Sequence, residues 1–225
     1  MPSFNVTGLT TTGQTLTSGE HGLITTNGTL ATSGNAIDVS GGVVVSVYGV
    51  INAINGAAIN AGTDSVLDLN VGSGGNIYAA NTGTSGKATV YTAGAAALLV
   101  HNAGVIQSDW FAAIYANSAA NTEIDINNSG VLQGDYGIFV NGSDTETTIL
   151  NTGTIMGQSY AIYFLSSGTS STVDFYNSGT LISAGTAYLG SDGTDQVVNN
   201  GVINGTVMLG GGDDTYDGRN GTLNG

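Results

Sequence analysis

Short runs in which apolar and polar residues alternate recur along the whole chain, as in Ile124-Asp125-Ile126 and Ile138-Phe139-Val140. Alternation with a period of two marks a strand with one buried face. The three-to-four-residue recurrence of a helix is missing, and 37 glycines argue against helix independently. Each run spans only three to five residues, too short to stand alone as a hairpin sheet. An all-β fold is therefore expected, in which many short strands find partners elsewhere in the chain.

Those partners are set by a repeat. The phrase hydrophobic-x-Asn-x-Gly-Val/Thr-Ile/Leu returns as Val100–Ile106, Ile126–Leu132, Ile149–Ile155, Phe175–Leu181 and Val197–Ile203. Its glycines, at 104, 130, 153, 179 and 201, lie 26, 23, 26 and 22 residues apart. Looser copies at Gly28, Gly49 and Gly75 carry the pattern toward the N-terminus. A period of this size means a solenoid, propeller or array. Two or three strands per unit, stacked as turns of a coil, predict a right-handed parallel β-helix (β-solenoid) of about eight coils of 21–29 residues. At one strand spacing per coil the rod is on the order of 40 Å long.

Register follows from the same pattern. Val100, Ile126, Ile149, Phe175 and Val197 are expected in one interior column, and Ile106, Leu132, Ile155, Leu181 and Ile203 in its neighbour. Asn102, Asn128, Asn151, Asn177 and Asn199 fall two residues before each glycine, where stacked amides form a ladder. The glycines belong to corners, for positive φ or for want of room for a Cβ. The first half, which has no Asn column, is expected to pack less uniformly.

In four places the alternation puts an aromatic residue between apolar neighbours: Ile114-Tyr115-Ala116, Ile138-Phe139-Val140, Ile162-Tyr163-Phe164 and Ala187-Tyr188-Leu189. With the flanks inward, Tyr115, Phe139, Tyr163 and Tyr188 form an outward strip suited to a surface glycan or protein partner, or simply to ring-on-ring stacking.

Composition narrows the partners. Two basic residues, Lys87 and Arg219, stand against 16 acidic ones, for a net charge of −14. That disfavours nucleic acid and anionic membranes. The longest apolar stretch, 93–100, is far short of a membrane span. With no cysteine, disulfides, thiol nucleophiles and cysteine-based zinc sites are excluded. The N-terminal residues have neither a basic region nor an apolar one, so no secretory signal peptide is read there.

One chemical motif stands at the C-terminus. Leu209-Gly210-Gly211-Gly212-Asp213-Asp214-Thr215-Tyr216-Asp217 follows the calcium-binding nonapeptide G-G-x-G-x-D-x-U-x except at Leu209. A Gly-rich turn offers carbonyl oxygens and the Asp a carboxylate, both suited to calcium. The stretch that follows has no Asp in register, so this copy reads as half a site and calcium binding as weak or incomplete.

The Asn-x-Gly-x-Ile coils followed by Leu-Gly-Gly-Gly-Asp-Asp-Thr-Tyr-Asp-Gly resemble the N-terminal β-helical region of bacterial repeats-in-toxin (RTX, hemolysin-type calcium-binding) proteins. Autotransporter passenger domains are similar in their coils. The resemblance divides the chain into residues 1–208, a β-helix with an N-terminal cap, and residues 209–225, the truncated start of a Gly/Asp-rich calcium-binding segment. It implies type I secretion to the extracellular space and calcium ligation at Gly210, Gly212 and Asp214, with Asp213 beside them.

Parallel β-helices also include polysaccharide lyases and hydrolases, which need paired carboxylates or a carboxylate-bound cation with a basic residue. Asp109 and Asp135, each five residues after a repeat glycine, are the acid candidates, with Gln158 next in the series. Lys87 and Arg219 fall outside their register, His101 is placed outward beside Asn102, and His21 lies in the cap. The expectation is a non-catalytic extracellular structural or adhesive module, with end-to-end self-association through its open strand edges; the alternative is a polysaccharide-active enzyme.

Overall fold

The computed structural model describes residues 2–80, 88–165 and 168–225, and among them there are strands, turns and bends but no helix. The chain winds as a parallel β-solenoid of about nine turns. Every strand pairing is parallel and joins one coil to the next.

The first three coils have three separate strands each, the third of them Gly42–Val47, Val50–Ala53 and Ile59–Ala61. Later coils depart from the expected short runs. Val90–Asn102 and Ala112–Asn128 run continuously round a corner, pairing with one coil along their first part and with another along their second. The runs seen in the sequence are thus straight segments of longer strands that bend without losing their hydrogen bonds.

Both interior columns form as expected, each member directly over its neighbour and fully enclosed. The Asn column forms too. Asn102 Nδ2 donates to Asn128 Oδ1 at 2.8 Å, and the amide bonds continue to Asn151 at 2.9 Å, Asn177 at 2.8 Å and Asn199 at 2.8 Å. All five side chains are buried.

The repeat glycines owe their place to close approach and not to positive φ, since none of the five has one. A Cβ on Gly130 would collide with the carbonyl oxygen of Gly104 one coil back, and Gly153, Gly179 and Gly201 repeat the collision up the stack. The corner leading into Val66–Val71 and the segments stacked on it works differently: Asp64, Asn121 and Asp144 hold left-handed backbone at φ of 56°, 61° and 54°, a conformation Asn and Asp tolerate better than most side chains.

Among the described residues the first coils pair in register, with Leu67, Leu69, Val45 and Ile51 fully enclosed. Register shifts fall at Ala93–Ala97, still within the first half of the chain, and at Gly134–Tyr136 and Ile182–Tyr188.

Candidate functional site

Three surfaces collect the sequence-predicted side chains and their neighbours, and a separate recess of about 470 Å³ is lined by Asn121, Glu123, Asp144, Glu146 and Thr172. On the face formed by the last strand segment of each coil, Tyr115, Phe139 and Tyr163 lie in register, with Tyr91 one coil below. Tyr115 and Phe139 stack at 4.7 Å and 10°, Phe139 and Tyr163 at 5.0 Å and 7°. A second row, absent from the sequence reading, lies alongside: Phe111, Tyr136 and Tyr160, with Tyr136 and Tyr160 parallel at 5.8 Å and Tyr160 against Tyr163 at 4.8 Å. Their sequence intervals of 25 and 24 residues are the signal that identifies them. Because the rings cover one another's faces, the strip shows mainly edges and hydroxyls, and Phe139 is only 7% exposed. Burial, together with the Asp135 charge, pushes the Tyr136 phenol up from its ordinary range.

Tyr188 does not belong to this strip. In register it lies over Ile162, and Leu189 takes the place above Tyr163. The expectation failed because Ala187, Tyr188 and Leu189 are all apolar, so alternation alone cannot say which of them faces in. The ring of Tyr188 is fully enclosed, parallel to Phe175 at 5.6 Å and 2°.

The Tyr188 hydroxyl leads to the second surface, donating to Asp195 Oδ2 at 2.8 Å. Asp195 is buried at a position that Val173 fills one coil earlier. It also accepts from Ser191 N at 3.0 Å and Ser191 Oγ at 2.6 Å. Burial raises the Asp195 carboxyl above the usual carboxylate range, and the neighbouring Asp214 charge adds to the shift.

Asp214 sits directly over Asp195, its Oδ1 accepting from Asp195 N at 3.0 Å. Thus Gly190-Ser191-Asp192-Gly193-Thr194-Asp195-Gln196-Val197 lies beneath the nonapeptide in register. It matches the same pattern at Gly190, Gly193, Asp195 and Val197. The counterpart turn therefore lies one coil upstream of the nonapeptide and not in the stretch that follows it. Gly210 and Gly212 have φ of +99° and +109°, and a side chain on either would strike the turn below, at Ser191 O and Gly193 O.

Asp213 is exposed at the rim. Among the described residues no group of three or more His, Asp or Glu side chains converges as a ligand set. Calcium here would draw on backbone carbonyls and on Asp213 and Asp214, because both Asp195 oxygens are held by Tyr188 and Ser191. Nearby, Arg219 pairs with Asp217 at 2.5 Å and holds its carboxyl down to about 2.

The third surface is a shallow trough along the solenoid axis, over the Asn ladder. One recess of about 310 Å³ is lined by Tyr48, Asn70, His101 and Asn127; a second of about 300 Å³, by Asn127, Leu150, Tyr176 and Asn200. They meet at Asn127. The Tyr48 ring lies across Gly72 in the next coil, where a Cβ would touch it.

Each acid candidate has its own partner: Asp109 accepts from the Tyr78 hydroxyl of the coil below, and Asp135 from Ser159 Oγ of the coil above at 2.5 Å. Gln158 is exposed, and His21 is bonded to Ser46 Oγ at 3.1 Å. Lys87 lies outside the described residues. Compared with protein-family profiles, curated proteins and solved structures, the chain matches none of them. Its fold is that of a parallel β-solenoid, and its function has to be argued from these surfaces.

Proposed function

We propose that the chain is a non-catalytic, extracellular structural or adhesive module: a stiff acidic rod of the RTX type, secreted by a type I route, that presents a long flank to a surface glycan or protein. The observation that carries this reading is that the stacked coils hold their outward side chains in continuous rows, such as Tyr91, Tyr115, Phe139 and Tyr163, while the acid candidates Asp109 and Asp135 are each bonded to a different group of the fold. A general acid and base acting on one glycosidic bond need two carboxyl groups facing a common space, a condition that Glu123, Asp144 and Glu146 meet in one recess, which has no Lys, Arg or His in its lining. Rows of outward side chains repeated at one strand spacing suit adhesion to extended or repetitive surfaces.

Calcium, in this reading, steadies the C-terminal turns and leaves the rod unchanged. Calorimetry is expected to show weak binding, and calcium to protect the amides of residues 209–217 from hydrogen exchange more than those of the central coils. Tight stoichiometric binding lost in Asp214→Ala would mean that the two stacked turns form a complete site.

Adhesion itself is tested with protein-coated beads on glycan-coated and cell surfaces under flow, alongside assays for reducing ends and unsaturated products from polysaccharides. Saturable retention without product release supports the module. Product release abolished by Asp109→Asn or Asp135→Asn in a folded protein would establish the enzyme in its place.

A further inference from the structure

We propose that the trough over the Asn ladder is the binding site for an extended, uncharged polysaccharide chain; this deepens the adhesive reading and rests on it. From Tyr48 in the third coil to Asn200 in the ninth the trough follows the solenoid axis for about 30 Å at one strand spacing per coil. Its length suits a polymer more than a compact ligand.

The lining specifies the polymer's chemistry. One wall is the outward column Asn70, His101, Asn127, Leu150 and Tyr176; the other is low, built of Gly72, Ala103, Ser129, Thr152 and Ser178. No carboxylate or Lys/Arg lines either recess. Asn127 and His101 are exposed, and among the described residues neither side chain bonds within the protein. An amide offers donor and acceptor together, the match for a sugar hydroxyl, which is both. Aromatic rings stand toward both ends, Tyr48 at 47% and Tyr176 at 38% exposure, with area to lie against the apolar face of a sugar ring.

Charge excludes the other polymers. Asp68, Asp125 and Asp174 lie on the same strands two residues from the Asn70–Tyr176 column, and the chain carries a net −14. Uronates and sulfated chains are repelled, and a polycation is drawn to that acidic column. An extended peptide has no β-edge to join, because the backbone beside the trough is already paired to the coils above and below. The aromatic strip is a poorer sugar site than the trough, since its rings already occupy one another's faces.

The test is native affinity electrophoresis of the full chain through gels containing hydroxyethylcellulose, xyloglucan, galactomannan or dextran, with polygalacturonate and alginate in parallel. At least one neutral polymer is expected to retard the protein, and neither uronate to do so. Tyr176→Ala and Asn127→Ala should each weaken retardation about five-fold, the equivalent of one lost ring or hydrogen-bond contact. Asn127→Asp should abolish it, while Tyr163→Ala in the aromatic strip leaves it unchanged. Asn127 is exposed, unlike its ladder neighbour Asn128, so these variants keep the fold, as circular dichroism will check. Absence of retardation by every neutral polymer, undiminished retardation of folded Asn127→Asp, or binding of carboxymethylated lactalbumin with no glycan binding would each overturn the proposal. Bead adhesion that persists in Asn127→Asp would leave the adhesive reading standing and reject only the trough.

Discussion

One corner of the solenoid is built in two ways. In the early coils the position is aliphatic, with Val6, Ile24, Val47 and Val71 stacked in register; from the fifth coil the same column continues as Asn102, Asn128, Asn151, Asn177 and Asn199. Both stretches are buried. An aliphatic side chain is satisfied by any apolar neighbour, whereas a buried amide destabilises the fold unless its hydrogen bonds are made. Each Asn finds its partners in the copies above and below, so the amide column is stable only as a block with closed ends. At the start, where no amide precedes, Asn102 Oδ1 accepts from Gly104 N at 3.1 Å; at the finish Asn199 Nδ2 donates to Thr222 O at 3.2 Å. The register shifts fall at the entry to this second region and within it, at corners other than the Asn corner. A directional ladder pins one corner, leaving the other faces free to absorb inserted residues.

Breaking the ladder at its middle is expected to have the largest effect. Asn151→Val keeps a β-former but leaves Asn177 Oδ1 without its donor, while Asn128 retains weaker bonds to Gly130 O and Thr154 O. The loss should be roughly 2–4 kcal/mol, read as a lower urea midpoint. Val71→Asn should cost at least about 1 kcal/mol less than Val47→Asn, because only position 71 adjoins an existing amide. Equal costs would mean that the two columns differ in composition and not in mechanism.

Much of this contrast was legible in the sequence. The Asn and Gly columns share one offset from copy to copy, so register followed by counting. Where residue type replaced counting, the reading failed. The 26-residue offset that carries Gly153 to Gly179 carries Tyr163 to Leu189, so Tyr188 falls one residue off the aromatic column, and strands such as Ala112–Asn128 bend round corners that the alternation broke into pieces. The Asp195 turn was not legible because Ser191 stands where the pattern has its second Gly, nor the trough, because its walls are ordinary polar residues whose significance lies in adjacency.

At the last coils the amide block meets a buried acid, and there the contrast should become pH-dependent. Asp195 is held above the ordinary carboxylate range by burial, with Tyr188 and Asp214 the ionisable groups facing it. The folded state therefore binds its proton more tightly than the unfolded chain does. Its contribution to stability is fully present below the ordinary carboxylate pKa and is lost as pH rises through the raised value. Asp195→Asn should flatten this fall, and Asn128→Val, far from the acid, should lower stability without changing the slope. A wild-type slope unchanged in Asp195→Asn would place the titration elsewhere.

The smallest effect tests whether the second region tolerates polar groups inside its other columns as well. Thr147 occupies an interior position between Ile124 below and Val173 above, is 1% exposed, and its Oγ1 has no hydrogen-bond partner. Unlike the Asn column, this one offers no repeated polar group for it to meet. A buried hydroxyl without a partner forfeits its hydration, and Val presents nearly the same shape without that loss. Thr147→Val should therefore stabilise the protein by about 1 kcal/mol, raising the urea midpoint with an unchanged denaturant slope. A loss of stability would show that the hydroxyl is bonded in solution, and that the contrast between satisfied amides and unsatisfied interior hydroxyls is narrower than the structure suggests.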